Sequence, residues 1–436
     1  MLKTKLFKGF AIIVVLFGVL SALVGLRIIQ SHVIDEAQNR VRLNIESAKY
    51  VFNNRRREVE IVLDLVSVKE SLVAAAEENG WDDLALRDRL ERLRVKFQLD
   101  FLDVISPDGM VVIRAGAPFH TGDYKLSDPM VESALKGHAC SGVTLFDSDT
   151  LRKEGEGLAE RAILEIEDTP KARITEKSVE TRGMVMVAAA PLHRTDSILG
   201  VVYGGVLLNR NHDMIDRIHE VLFKNEKYNG AQLGTTTIFL KDCRIATTVR
   251  LPNGNRALGT RVSKEVADRV LDNGLSWVGE AFVVNDTYLS VYEPVLDFSG
   301  QVIGMLYVGI LKKPFDDYVQ NIMARYGYLT LFALCISLVV TFVLAGRLSG
   351  PLHRLAAASN QLSNDEMPDD VIDEKACTET AVLIRSFNNM KKMLTDRESR
   401  LKEINRSYME TVGFVSHELK SPLASMLNYV YLLRKQ

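Results

Sequence analysis

Two stretches of the chain are apolar without interruption. From Gly9 to Leu26 eighteen residues carry no charge, and from Tyr326 to Gly346 twenty-one more do the same. Each is long enough, as a helix, to cross a hydrocarbon layer of about 30 Å. Helices are the form such runs take, because backbone polar groups inside lipid have to be satisfied within the segment. Lys3, Lys5 and Lys8 precede the first run, and Arg347 and Arg354 follow the second. That asymmetry puts both ends in the cytoplasm and the about 300 intervening residues outside. The first run is long for a signal peptide and lacks an A-x-A site, so it reads as an uncleaved anchor.

Beyond the first run the apolar positions thin to a stripe. Ile34, Ala37, Val41, Asn44, Ala48 and Val51 step by three and four, the spacing of one helix face. Such a face either seams a dimer or covers a sheet of its own domain. After Gly80 the period changes from helical to short β-rich runs. Phe101 to Ile105, a Pro107-Asp108-Gly109 turn, and Met110 to Ile113 read as a hairpin. Thr237 to Leu240 followed by Arg244 to Thr247 looks like a second copy. Gly137 and Gly142 recur as Gly274 and Gly279 with equal spacing, and Pro191 with Gly200 to Leu207 recurs as Pro294 with Gly304 to Leu311. Three matches in one order predict a duplicated antiparallel-sheet domain. The charged stretch from Thr150 to Glu180 reads as an insertion in the first copy.

Composition narrows the function classes. Fifty-four basic against 56 acidic residues leave a net charge of −2, which argues against a nucleic-acid binder held by released counterions. Only four cysteines occur, with no C-x-x-C pair, so no zinc or redox motif is expected. Cys140 and Cys243 lie in the outer segment and are read as separate buried thiols. His212, Asp216 and His219 fall at i, i+4 and i+7, a spacing that suits a metal, but a solvated helix face explains them better and no metal is expected.

The segment Gly259 to Ser263, Tyr292-Glu293-Pro294 and Gly300 through Leu306-Tyr307-Val308-Gly309 resembles the membrane-proximal half of extracytoplasmic double Cache sensors of the Cache 3/Cache 2 fusion type. The resemblance covers about residues 95 to 315 and implies a long helix carrying two PAS-like sheets that bind small ligands, often organic acids or amino acids. A buried carboxylate calls for a guanidinium fork and converging hydroxyls. Arg114, Tyr124 and Arg182 in the first copy, and Arg250, Tyr288 and Tyr292 in the second, supply that chemistry near strand signals. Surface arginines and core tyrosines are the competing explanation for each.

After the second run, Leu348, Leu352, Leu355, Ser359 and Leu362 step by four and three, with Pro351 expected in the first turn of a new helix. A linker from Asn364 to Asp373 precedes a restart at Leu383, Phe387, Met390 and Leu394. With Pro351, Glu379 and Phe387-Asn388 as its marks, and Ala381 where glycine is usual, this pair of helices resembles a HAMP domain, which implies a homodimer. The helix then runs into Phe414-Val415-Ser416-His417-Glu418-Leu419-Lys420-Ser421-Pro422-Leu423. An imidazole titrating near neutrality is a nucleophile at cellular pH, Glu418 beside it can take or orient its proton, and Ser421 lies one turn on, suited to orienting a water. Pro422 is expected to bend the helix. These residues resemble the H-box of sensor histidine kinases. The resemblance implies His417 as phosphoacceptor, ATP and Mg²⁺ as cofactors, and a response regulator as partner. No nucleotide-binding box occurs in these residues.

The expected architecture is an α+β membrane protein of the bacterial inner membrane. It comprises a cytoplasmic N-terminus (1–8), a membrane helix (9–29), a long helical region (30–94), a membrane-distal Cache domain (95–210) and a membrane-proximal one (211–320). A second membrane helix (326–346), a HAMP domain (347–400) and the first helix of an incomplete phosphotransfer domain (401–436) follow. The expected function is a two-component sensor, its outer ligand controlling phosphorylation of His417. The alternative is a non-catalytic receptor that modulates an intact kinase by heterodimerisation. A chemoreceptor would require a long methylated hairpin that these residues do not contain.

Overall fold

The computed structural model describes residues 2–434 other than 79–80, 82–83, 168, 195–196, 365–367 and 372–377. The chain divides into two compact units, residues 28–321 and, separately, residues 1–27 with 322–436. One helix, α1 (Leu2–Ser67), runs without a break through the first apolar stretch and the stripe beyond it.

In the 28–321 unit α1 is followed by α2 (Glu70–Glu78) and α3 (Leu84–Lys96), then by β1 (Phe101–Ile105), β2 (Val111–Arg114), α4 (Pro129–Leu135) and β3 (Cys140–Phe146). Next come α5 (Ser148–Glu154), α6 (Leu158–Ala162), a two-residue ribbon of β4 (Leu164–Glu165) and β5 (Val179–Glu180), β6 (Gly183–Arg194) and β7 (Ser197–Leu207). The second half holds α7 (His212–Phe223), a ribbon of β8 (Lys227–Tyr228) and β9 (Ala231–Gln232), β10 (Gly234–Leu240) and β11 (Cys243–Thr247). It closes with α8 (Lys264–Ala267), a π-turn at Asp268–Asp272, β12 (Trp277–Val283), β13 (Asp286–Leu296) and β14 (Val302–Leu311).

Two five-stranded antiparallel sheets result, ordered β2-β1-β7-β6-β3 and β11-β10-β14-β13-β12. The strand order is the same in both, so the repeated sequence signals correspond to repeated topology. The first hairpin of each sheet even carries a register shift at the matching place, between Val104 and Ile105 and between Ile238 and Phe239. Gly137 and Gly274 both adopt left-handed backbone, φ 90° and 66°, where the chain leaves a helical segment to enter an outer strand. The stretch from α5 to β5 is the extra segment of the first copy.

The α1 stripe lies on these sheets. Ala37, Val41, Ile45, Ala48 and Phe52 are buried with Ile238, Leu240, Leu306 and Val308 of the second sheet. Further along, Val59, Leu63 and Val66 are buried with Leu102, Val104 and Val202 of the first. Of the two uses the spacing allowed, the structure takes the covering of its own sheets. Each large side chain so buried contributes about 1.5–3 kcal/mol.

The other unit contains the N-terminal part of α1 together with α9 (Lys313–Ser363) and α10 (Thr378–Leu433). Among the described residues two helices are long and apolar enough to cross a membrane, α1 and α9, each containing one of the two apolar stretches. Phe7 meets Phe342 edge-on at 5.8 Å between ring centroids, and the Tyr326 hydroxyl donates to the Ser21 carbonyl at 3.4 Å. Pro351 does not open a new helix: α9 passes through it unbroken to Ser363, and α10 likewise passes through Pro422. A long helix with i→i−4 bonds on both sides of the proline tolerates the single missing donor. Ala358, Val371, Ile384 and Phe387 form a small buried cluster. The amide of Asn388 clamps Val371 by donating to its carbonyl at 3.0 Å and accepting from its N–H at 3.2 Å. The linker expected at Asn364 to Asp373 lies partly outside the described residues.

Candidate functional site

The inner face of the second sheet is unusually polar for a buried surface. Antiparallel pairing sets Thr237 opposite Tyr307 and Tyr307 opposite Tyr292. Alternation then brings Thr235, Phe239, Tyr288 and Ser290 to the same side. Thr235 Oγ1 lies 3.3 Å from the Tyr307 hydroxyl, and the Thr237 and Thr247 hydroxyls are 2.7 Å apart. Tyr292 packs against Tyr307 at 4.6 Å and edge-on against Trp277 at 5.7 Å. Gly309 permits this crowding, since a Cβ there would run into the Tyr307 hydroxyl.

Onto this face β11 projects Arg244. It is 4% exposed, its guanidinium sits 5.2 Å from the centre of the Phe239 ring, and among the described residues its one side-chain hydrogen bond goes to Thr260 Oγ1. Nε is buried with no partner, and no carboxylate pairs with it among the described residues. Burial therefore pulls its pKa below the ordinary arginine value, with the neighbouring Tyr292 and Tyr307 hydroxyls working the other way. A buried cation without a counter-ion is costly, and an incoming carboxylate would supply the missing charge in fork geometry.

The matching inner face of the first sheet is closed by the chain itself, with its arginine at a different position: Arg114 pairs with Asp103 as Thr247 pairs with Thr237, and Val111 stands where Arg244 does. Arg114, 1% exposed, grips Asp123 with two hydrogen bonds of 2.5 and 2.9 Å and Glu154 with two more of 3.3 and 3.4 Å. Lys125 pairs with Glu154 and reaches Asp103 at 3.4 Å. Burial first, and then the charge of Glu154, hold Asp103 protonated well above the usual carboxylate range. Burial acts on Glu154 in the same sense, but Lys125, the Asp103 hydrogen bond and Arg114 outweigh it and keep Glu154 ionised. Two cations thus face two carboxylates and a neutral carboxyl. Lys125 also lies 4.1 Å over the ring of Tyr203, whose hydroxyl donates to Asp128 at 2.6 Å. Asp128 in turn caps α4 through the Met130 N–H. Glu154 comes from α5, so the extra segment of the first copy furnishes the group that neutralises its interior.

Of the residues singled out from the sequence, Tyr288 and Tyr292 line the second sheet's buried face. Arg114 is engaged internally. Tyr124 is 63% exposed, Arg250 is exposed and donates to the Gly254 carbonyl at 2.8 Å, and Arg182 is spent on Glu180 through two 3.0 Å hydrogen bonds. These three do not converge with the others on one site. Arg244, Tyr307 and the three threonines were missed. An arginine alternating with Cys243 and Ile245 in a strand signal was the available clue.

The solvated-face explanation of α7 is corrected in part. Asp216 is held by Arg256 through hydrogen bonds of 2.8 and 2.6 Å, but His219 is 2% exposed, packed on Phe223 with both ring nitrogens unpartnered. Among the described residues no group of three or more His, Cys, Asp or Glu is placed to hold a metal. Cys140 and Cys243 are free thiols, and burial, with Glu180 nearby, pushes Cys243 up to about 12. His417, Glu418 and Ser421 sit on α10, where every described side chain from Lys392 to Arg434 is exposed.

Residues 206–322, which contain the whole second sheet, match the family model described as single cache domain 3. No curated protein sequence matches the chain. Solved structures similar to it include the sensor domain of the Vibrio cholerae histidine kinase DctB, 13% identical, covering 64% of this chain and 98% of that one, TM-score 0.36. The periplasmic domain of Vibrio cholerae LuxQ is 12% identical, with 62% and 99% covered and a TM-score of 0.34. A Campylobacter jejuni chemoreceptor sensory domain with isoleucine bound is 9% identical, with 67% and 97% covered and a TM-score of 0.36. The Cache match thus falls on the sheet that carries Arg244.

Proposed function

We propose that this chain is a membrane-spanning sensor whose second sheet binds a small carboxylate, an organic acid or amino acid, through Arg244. The observation that carries this reading is a buried guanidinium without a counter-ion among the described residues, set among Tyr288, Tyr292 and Tyr307 in a segment matched by a Cache family model. The two apolar helices support an arrangement with the two sheets outside the bacterial inner membrane and both ends in the cytoplasm. The two sheets of equal strand order support a double Cache module. The cluster around Phe387 and the Asn388 clamp support a HAMP domain. Along α10 the exposed Leu401, Ile404, Tyr408, Val412, Val415 and Leu419 form a three-four stripe suited to a second copy, hence a homodimer.

In this reading ligand shifts a two-state equilibrium, and the outcome is a change in how α10 presents His417 to its phosphoryl donor and to a response regulator. Glu418 holds the imidazole proton, and Ser421 orients a water for dephosphorylation. The described residues around His417 do not fit ATP or Mg²⁺, because α10 is exposed on all sides there and forms no cradle. The chain contributes the acceptor.

The test is thermal stability of the full chain in lipid nanodiscs against a panel of mono- and dicarboxylates and amino acids. A saturable rise in melting temperature that Arg244→Met abolishes supports the site, and no response to any acid overturns it. Acceptance of phosphate from an intact partner kinase, lost in His417→Ala, tests the acceptor separately.

A further inference from the structure

A cleft of about 730 Å³ lies beside α1 in the 28–321 unit, away from the inner face of either sheet. Five arginines line it against three carboxylates, and the carboxylates do not balance them. Arg55 pairs with Glu58 at 3.1 Å, and Arg161 takes Asp100 with two hydrogen bonds of 2.8 and 2.6 Å. Arg94 is held by Glu91 at 2.6 Å. Across the cleft, just before and within α7, the guanidinium of Arg210 donates to the Ile163 carbonyl at 3.0 Å and has no other partner among the described residues, and the Arg217 side chain has no hydrogen-bond or ion-pair partner among them. The Arg161 Nε and the His212 Nδ1 are buried at the edge of the same space without partners. The first-turn amides of α7, a twelve-residue helix, add their positive end to that side.

We propose that this cleft binds a small multivalent anion, one bearing two or more phosphate or carboxylate groups. The volume lies within the range of small-molecule sites, and an acetate-sized anion would fill little of it. Cations stand on both walls: Arg55 and Arg94 come from α1 and α3, Arg210 and Arg217 from α7 and the residues just before it. Arg210 and Arg217 take one charged group, and a second group, separated by a linker, lies against Arg55 and Arg94, whose partners Glu58 and Glu91 stay in place. An occupant of this kind ties α1 to α3 and α7. The site is independent of Arg244, because the cleft opens on α1 and Arg244 faces the opposite side of its sheet, against Phe239 and the tyrosines.

The experiment is calorimetric titration of the full chain in nanodiscs with pyrophosphate, citrate and acetate at matched ionic strength. Pyrophosphate or citrate is expected to bind saturably and acetate not, and whichever of the two binds tighter distinguishes phosphate from carboxylate recognition. Arg210→Gln with Arg217→Gln, both exposed and outside the cores, is expected to weaken binding by about tenfold or more. Arg244→Met is expected to leave it unchanged. The proposal is overturned if neither polyanion binds beyond the effect of matched sodium chloride, or if the double variant binds as the wild type does. It is overturned equally if Arg244→Met abolishes the binding, which would move the anion to the second sheet.

Discussion

Replacing Arg244 by methionine separates a ligand-binding arginine from a structural one. The guanidinium is 4% exposed, keeps one side-chain hydrogen bond, to Thr260, and leaves Nε unpartnered. Burying an ion costs several kcal/mol. A charge-assisted hydrogen bond returns about 1.5–3 kcal/mol, and the contact with the Phe239 ring up to about 2 kcal/mol more. Methionine fills a similar volume, packs on the same ring and carries no charge. It leaves Thr260 satisfied as well, because that hydroxyl also donates to the Ala257 carbonyl at 2.9 Å. The ligand-free variant should therefore be more stable than the wild type by roughly 1–3 kcal/mol, a rise of several degrees for a unit of this size. With ligand at a hundred times its dissociation constant the wild type gains about 2.7 kcal/mol and the variant nothing. Differential scanning fluorimetry of both chains, with and without the best acid from the panel, reads both effects. A variant that melts lower without ligand and still responds to the acid would refute the reasoning.

Three further outcomes follow from the same structure. Glu154→Gln strips one of the two ionised carboxylates facing Arg114 and Lys125 and should cost about 3–5 kcal/mol, whereas Asp103→Asn replaces a group already neutral and should cost about 1 kcal/mol or less; denaturant melts that rank the two variants the other way would contradict the proton assignment. Burial alone would raise the Glu180 carboxyl, but hydrogen bonds from Arg182 and Lys177 bring it down from 4.5 to about 2. Its stabilisation, about 3 kcal/mol at most, is therefore fully present above pH about 4.5 and lost as the pH falls towards 2, and Glu180→Gln should flatten that part of the pH-stability curve. Phe387→Asp places a charge in the cluster with Ala358, Val371 and Ile384 and should open it at a cost of about 3 kcal/mol or more, seen as faster tryptic cleavage at Arg385 and Lys391; an unchanged cleavage rate would show that the cluster does not hold this segment.

Much of the architecture was legible along the chain because it follows from local periodicity. The two charge-free runs are visible as such, and the paired hairpins, the recurring glycines and the charged insert signal a duplicated sheet domain. The candidate site was legible only in part. Tyr288, Tyr292 and Arg250 all carry suitable chemistry near strand signals, but the arginine on the tyrosines' face is Arg244, six positions before Arg250. Which of two arginines is buried depends on the bulge at Ile238 and Phe239 and on the chain that folds over β11 at Gly259 and Thr260. Neither has a signature at the arginine itself. Nor does Pro351 stand in the first turn of a new helix: α9 runs through it over 51 residues, the hydrogen-bonded turns on both sides outweighing a cost of about 3 kcal/mol.

The sequence by itself determined the two charge-free apolar runs, the duplication of a sheet domain, the segment that interrupts the first copy and the residues of the His417 motif. All of these are matters of residue type and spacing. Tertiary structure alone decided that the α1 stripe covers the chain's own sheets. It also decided that Arg114 is neutralised by Asp123 and Glu154, and that Arg244 has no such partner among the described residues. The reason is that charge compensation in a protein interior is a property of neighbours distant in sequence: Glu154 lies 40 positions from Arg114, and among the described residues no carboxylate is brought to Arg244.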